Sequence, residues 1–402
     1  MKFKTIDDFQ FEGKVALVRV DLNSEVDEKT KKVTAGDRMD AHAQTVVELA
    51  RKNAKTVLLA HQGRKGDYDF LPLEQHADLL SEKAAMHVKF VPDVAGEKAK
   101  EAIKEMRPGD VILLDNVRFL ADETKGNPAD AAIVKALAPL ADVFVLDAFS
   151  VAHRAQASVV GFAGKLPVLA GRVMEKELTA LTKFENPKRP VVFILGGAKP
   201  EDSLPVLKRW LKEGRLDKAL TCGVLGNLFL MASGKKLGDA TEKFLEQKEA
   251  LKDVPKAKEL LEKYGERIMY PSDVAVDENG KRVEVAAGKL PAKGQIKDIG
   301  LETSKVYVKE IAGAATVMMN GPAGVYESEE FAEGTRFILR AIEHARGFSL
   351  LGGGHTLSAL SKFEIDTSNM GYVSLSGKAL IEFLSGEQLP GIKMLEEYAA
   401  KG

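Results

Sequence analysis

The chain has 402 residues, 45% hydrophobic and 29% charged, a composition that fits a soluble globular protein of two or three domains. Its 58 Lys+Arg and 59 Asp+Glu leave a net charge of −1, which excludes a broad electrostatic grip on nucleic acid or an anionic membrane but leaves room for a local basic pocket. The single cysteine, Cys222, excludes an intramolecular disulfide and a cysteine zinc cluster, and it suits a reducing cytoplasm.

Residues 1–13 carry charges and no apolar h-region, so no signal peptide is expected. Short runs of β-branched and aliphatic residues then predict buried strands at 15–20, 56–60, 111–114, 143–146, 191–195, 219–222, 316–319 and 348–351. Longer stretches with apolar residues at helical spacing, such as 37–53 and 329–344, lie between them. Apolar strands separated by amphipathic helices imply parallel sheet covered on both faces. The uncharged stretch 311–326 holds three glycines, Asn320 and Pro322, and reads as a strand plus loop, not a membrane helix.

The expected fold is α/β, with two doubly wound, Rossmann-like parallel-sheet domains joined by a connecting helix. Residues 171–185 read as one exposed, charged helix, and Asn186-Pro187-Lys188-Arg189-Pro190 stops it. This predicts an N-terminal domain over 1–170, a connecting helix and linker over 171–189, and a second domain over 190–370. A C-terminal segment over 371–402 has the option of returning to the first domain.

In open α/β sheets, ligands bind beyond the carboxyl ends of the strands. In the first half those ends carry Asp21 and Asn23, then His61-Gln62-Gly63-Arg64, then Asn116 and Arg118, then Asp147, His153 and Arg154; Arg38 stands near the start of the first helix. The arginine fork suits carboxylate and phosphate because it donates two parallel hydrogen bonds. In the second half the strand ends carry glycines: Gly196-Gly197-Ala198-Lys199, Gly223 with Gly226, Asn320-Gly321-Pro322-Ala323-Gly324, and Gly352-Gly353-Gly354-His355-Thr356. Glycines between strand and helix let backbone N–H groups approach phosphate oxygens.

Standard motifs narrow the choice. No P-loop, H-E-x-x-H or G-x-S-x-G is present, and the dinucleotide fingerprint fails at Leu357 and at Tyr372. The pattern points to phosphoryl transfer between a small, highly anionic ligand on one domain and nucleotide phosphates on the other. A nicotinamide-dependent dehydrogenase and a non-catalytic two-domain anion and nucleotide-binding protein are the alternatives.

Seven short motifs in fixed order carry a family resemblance. They are Arg19-Val20-Asp21-Leu22-Asn23, His61-Gln62-Gly63-Arg64, Asn116-Val117-Arg118-Phe119, Asp147-Ala148-Phe149 with Ala152-His153-Arg154-Ala155, Leu195-Gly196-Gly197-Ala198-Lys199, Asn320-Gly321-Pro322-Ala323-Gly324-Val325-Tyr326-Glu327 and Gly352-Gly353-Gly354. From about residue 13 to residue 391 the chain resembles phosphoglycerate kinase, and its variants resemble the archaeal branch.

The resemblance implies a glycolytic and gluconeogenic transferase that moves a phosphoryl group between ATP and the carboxylate of 3-phosphoglycerate. It implies an N-terminal 3-phosphoglycerate site at Asp21, Leu22, Asn23, Arg38, His61, Gln62, Gly63, Arg64, Arg118 and Arg154. It implies a nucleotide site at Lys199, Asn320, Glu327, Gly353, Gly354, His355 and Thr356, with Glu327 at the ribose. Arg38, Lys199 and the helix start at Gly354 are the candidates for stabilising the transferring group. Magnesium is expected with the ATP or ADP phosphates, with no residue of the chain assigned to it. Three positions depart from the wider family: His355 where many members carry aspartate, Ser203 where many carry a second lysine, and Ser374-Leu375-Ser376-Gly377-Lys378 in place of a glycine-rich run.

Overall fold

A run such as Val191–Leu195, buried at every position, can sit only inside a sheet covered on both faces. The computed structural model, which describes residues 1–401, builds two such sheets, one in each of two units. One unit comprises Met1–Thr179 with the C-terminal stretch from Gln388; the other is Ala180–Glu387. The division falls inside the helix Arg172–Glu185. That helix is not exposed all round as its charges suggest, because Val173, Met174, Leu178, Leu181 and Phe184 form a buried face.

In the first unit, six parallel strands lie in the order Val88–Val91, Val111–Leu114, Lys55–Leu59, Val15–Arg19, Val143–Leu146, Val168–Ala170. The chain leaves Val15–Arg19 toward one edge and later returns to pair on its other side, so the carboxyl end of this strand is the switch point where α/β ligands bind. Helix Pro390–Lys401 packs on Val168–Ala170, and Gly391 N–H donates to the Ala152 carbonyl (2.8 Å).

The second unit has the order Ile268–Met269, Lys218–Thr221, Val191–Leu195, Thr316–Asn320, Phe348–Gly352, Tyr372–Val373, the doubly wound 3-2-1-4-5-6 arrangement. Its switch point lies between Val191–Leu195 and Thr316–Asn320. An antiparallel sheet of Lys281–Ala286, Asp273–Glu278 and Gln295–Ile299 is inserted before the fourth strand and was not anticipated from the sequence pattern. Nor were the short edge strands Val88–Val91, Val168–Ala170, Ile268–Met269 and Tyr372–Val373.

At the second switch point, loops from neighbouring strands bond to one another through backbone. Gly196 N–H donates to the Asn320 carbonyl (3.0 Å), Gly197 N–H to Pro322 (2.8 Å) and Gly223 N–H to Ala323 (2.9 Å). Gly321 sits in this weave at φ +84°, and a Cβ there would meet the Gly196 carbonyl carbon at 2.6 Å. Positive φ and lack of room act together, so Gly321→Ala is expected to destabilise the second unit by about 1–3 kcal/mol. The readout is fluorescence of Trp210, the single tryptophan, which lies in that unit; the denaturant midpoint should fall with m unchanged.

Candidate active site

The first unit presents its site beyond strand Val15–Arg19. Asp21 is 3% exposed, and burial opposes its charge. Arg38 (3.1 Å to Oδ2) and the Ser150 hydroxyl outweigh burial and hold the carboxyl well below the usual carboxylate range. Asp21 therefore stays ionised at any working pH. Its Oδ1 accepts from Asn23 N–H (3.1 Å), and Asn23 Oδ1 accepts from Gly63 N–H (3.0 Å), so the motifs around residues 21 and 63 are tied directly.

The neighbouring histidine has a fixed proton position. Arg19, fully buried, donates from Nη2 to His61 Nδ1 (2.9 Å), which leaves the ring proton on Nε2. Burial and the Arg19 charge hold His61 well below the usual imidazole range, so it is a neutral donor. Arg19 Nε donates to Ser158 Oγ (3.0 Å), which donates on to Glu123 Oε1 (2.6 Å). Burial lowers the basicity of Arg19, against the pull of the Glu123 and Asp21 charges, and raises the Glu123 carboxyl, against the hydrogen bond from the Ser158 hydroxyl.

The arginines gather beside this core. A cavity of about 450 Å³ is lined by Arg64, Lys65, Arg118, Lys125 and Arg154 and by no acidic residue. Burial, Arg154, Arg19 and Arg64 together push the Arg118 guanidinium down to about 10. Arg118 also donates to the Gly63 carbonyl, and Arg154 Nε to His153 (3.0 Å).

Two expected substrate residues are otherwise occupied. The Leu22 side chain lies in the core cluster with Val20, Met39 and Leu73. Gln62 is fully buried; its oxygen accepts from Ser24 N–H (2.8 Å) and pairs with His76, and its nitrogen donates to the Ser24 carbonyl (3.1 Å). Gly63, at φ +62°, is held where a Cβ would collide with the Asp69 carbonyl at 2.3 Å.

The second unit carries a pocket of about 260 Å³ at its own switch point. Gly197, Gly223, Pro322 and Gly324 form one side, and Val224, Phe244, Pro271, Val274, Ile296 and Val325 give apolar walls. Glu327 and His355 line it, with His355 Nδ1 3.7 Å from Glu327 Oε1 and 3.5 Å from the Tyr326 hydroxyl. His355 stands in the first turn of helix Gly354–Lys362 with 75% of its side chain exposed. Gly353, at φ +96°, precedes that helix against Asn320 Oδ1.

The other expected nucleotide residues do not line this pocket. Thr356 is fully buried and its Oγ1 accepts from Gly321 N–H (2.9 Å), so it braces the loop. Lys199 is exposed at the start of helix Pro200–Lys212. Ser203, inside that helix, is buried, and its hydroxyl finds no partner. Ser374 Oγ donates to the Ser376 carbonyl and accepts from Ser376 N–H (3.1 Å each), closing a tight turn next to Gly377, where a Cβ would lie 3.1 Å from Gly353 Cα.

Several residues of these sites were missed in the sequence. Arg19 was legible as the one charge ending an apolar strand; His42, on the buried face of helix Asp37–Arg51, gave no signal. Asp298, from the inserted antiparallel sheet, also lines the second unit's pocket. Burial pushes its carboxyl up to about 6 against the pull of Arg282 (2.9 Å) and of Gly334 N–H (2.7 Å).

The paired switch-point sites agree with what the chain resembles. The phosphoglycerate kinase family model matches residues 6–387. The chain is 45% identical to the phosphoglycerate kinase of Methanothermus fervidus, covering 98% of this chain and 97% of that one, and 45% identical over the same shares to that of Methanothermobacter thermautotrophicus. Among solved structures it is similar to phosphoglycerate kinase from Pyrococcus horikoshii OT3 (TM-score 0.93, 37% identity, covering 99% of this chain and 100% of that one) and from Coxiella burnetii (0.81, 33%, the same shares). With a family model spanning nearly all of both units and relatives matched end to end, the chain belongs to the phosphoglycerate kinase family.

Proposed function

We propose the residues by which the chain carries out its family's reaction, the reversible transfer of a phosphoryl group between ATP and the carboxylate of 3-phosphoglycerate, giving ADP and 1,3-bisphosphoglycerate. The first unit takes 3-phosphoglycerate and the second takes the nucleotide. Two observations carry this division: in the first unit a cavity lined by five cations and no acid, and in the second an apolar-walled pocket rimmed by glycines. A small phosphate ester balances the first; a nucleoside with phosphates on glycine N–H groups fills the second.

The acceptor is a carboxylate, ionised at neutral pH, so no general base is required. The barrier is repulsion between an anionic nucleophile and an anionic phosphoryl group, and catalysis is positioning plus charge neutralisation. Arg38 is held on Asp21 and brings the charge to the carboxylate end of the substrate; neutral His61 donates from Nε2; Arg64, Arg118 and Arg154 hold the far phosphate. In the second unit Glu327 takes the ribose, and Lys199 with the helix start at Gly354 meets the transferred group.

His355 is not a residue that would hold a magnesium ion. At the first turn beside the pocket the chain offers an exposed imidazole, a poor magnesium ligand beside oxygen donors. Magnesium is therefore assigned to the nucleotide's own phosphate oxygens. Among the described residues no helix is long and apolar enough to cross a membrane, and we place the chain in the cytoplasm. A dehydrogenase is disfavoured because Leu357 and Tyr372 break the dinucleotide fingerprint on a sheet whose strand order would otherwise suit it.

Three outcomes test these roles in an assay coupling 3-phosphoglycerate, ATP and magnesium to NADH oxidation. Arg38→Ala is expected to lower kcat by about a hundredfold, near 3 kcal/mol, with a smaller change in 3-phosphoglycerate KM; a normal kcat removes Arg38 from catalysis. Lysine at Arg64, Arg118 or Arg154 keeps the charge but loses the fork, so KM for 3-phosphoglycerate should rise while that for ATP holds. The reverse pattern would exchange the two ligands between the units. His355→Ala should weaken MgADP binding or lower kcat and leave 3-phosphoglycerate binding unchanged, while His355→Asp, which adds a hard oxygen, should shift the magnesium optimum. Wild-type values for both variants would leave His355 a helix-end residue with no nucleotide role.

A further inference from the structure

One buried side chain beside the substrate site is used by nothing described so far. His42 lies on helix Asp37–Arg51, four residues after Arg38 and so on the same face. Its Nε2 accepts from the Asp21 backbone N–H (3.1 Å), and its Nδ1 pairs with Asp147 Oδ2 (2.8 Å). One helix thus grips Asp21 twice: Arg38 on the carboxylate at 3.1 Å, His42 on the backbone.

The tautomer follows from the partners. A backbone N–H can only donate, so Nε2 carries no proton and the neutral ring holds its proton on Nδ1, facing Asp147. The far oxygen of Asp147 is itself fixed, since Oδ1 accepts from Val173 N–H (2.8 Å) and Met174 N–H (3.4 Å). His42 is 2% exposed and Asp147 fully buried. The other tautomer would set the Nδ1 lone pair against Asp147 and an Nε2–H against the Asp21 N–H, and a flipped ring would put C–H groups at both places, so the relay has one arrangement.

We propose that His42 is a positioning residue for phosphoryl transfer: anchored on Asp147, it fixes the backbone of Asp21 and through it the Asp21–Arg38 pair that faces the acceptor carboxylate. The proposal rests on the assignment of Asp21 and Arg38 to the 3-phosphoglycerate site. Asp21 Oδ1 also holds Asn23 N–H, so a displaced Asp21 would disturb both.

Three substitutions separate the two bonds. In His42→Asn the amide nitrogen can still donate to Asp147, but the side chain is too short for Asp21. His42→Gln reaches Asp21 N–H with its amide oxygen. His42→Phe loses both bonds. The expected result is a fall of about tenfold to a hundredfold in kcat for Phe and Asn, substantial recovery with Gln, and an unchanged KM for ATP in all three. Nitrogen-15 NMR of the wild-type protein should show His42 protonated at Nδ1 and bare at Nε2.

Asp21→Asn and Arg38→Ala, measured alongside, separate the two levels. If they are impaired while folded His42→Phe and His42→Asn turn over normally, the positioning role is overturned and the site assignment stands. If both controls are as active as wild type, the assignment falls and the proposal with it. Should His42→Phe not fold, the Asn and Gln pair and the wild-type spectrum decide: equal kcat in the pair, or a proton on Nε2, overturns the proposal.

Discussion

A parallel sheet delivers the carboxyl ends of all its strands to one edge, and everything functional in this chain depends on that constraint. Residues far apart in sequence, such as Asp21, Gly63, Asn116 and Ser150, meet because Val15–Arg19, Lys55–Leu59, Val111–Leu114 and Val143–Leu146 end side by side. The same geometry in the second unit brings Gly197, Gly223, Pro322 and Glu327 to one pocket. The two edges differ in what they present. The first presents side-chain cations, which suit a small ligand with charge at both ends. The second presents glycine backbone and apolar walls, which suit a base with a phosphate tail.

Crowding cations has a cost that the first unit meets locally. Arg19 is buried among Arg118, Arg154 and His61, and an isolated buried charge there would be prohibitive. The Ser158 hydroxyl passes hydrogen bonding from Arg19 to Glu123, and Asp21 faces Arg38 from the other side. Neither acid lines the arginine cavity, which keeps its positive field.

Much of this was legible in the sequence, for identifiable reasons. The eight central strands were visible because strands buried on both faces need unbroken apolar runs. The edge strands were not, because Val88–Val91 buries only half its residues and the fully buried Val168–Ala170 is only three residues long. The antiparallel insertion was missed although Asn279-Gly280, both at positive φ, is the turn signal that joins its first two strands. At the sites, the charged residues placed beyond strand ends, such as Arg64, Arg118 and Arg154, line one cavity, whereas Arg19, inside its strand, was passed over. Residues whose role depends on a partner across the sheet were passed over too: His42 and Glu123 are unremarkable until the fold sets them against Asp147 and Ser158. Leu22 and Gln62 show the reverse, since they sit within a binding motif while their side chains serve the scaffold.

The departures at 203 and 355 belong to one electrostatic problem. Ser203 is buried in helix Pro200–Lys212 with an unpartnered hydroxyl, whereas Lys199 is exposed at the non-helical residue before it. Position 203 therefore faces the packed side of the helix, and a cation there would have to run its stem outward to keep its charge in water. With serine in place the second unit loses one fixed positive charge but also avoids burying it. His355, where the resemblance implies aspartate in many members, stands in the first turn of helix Gly354–Lys362, where the positive end of the helix dipole favours phosphate. Removing an acid beside phosphates relieves repulsion as surely as adding a cation creates attraction.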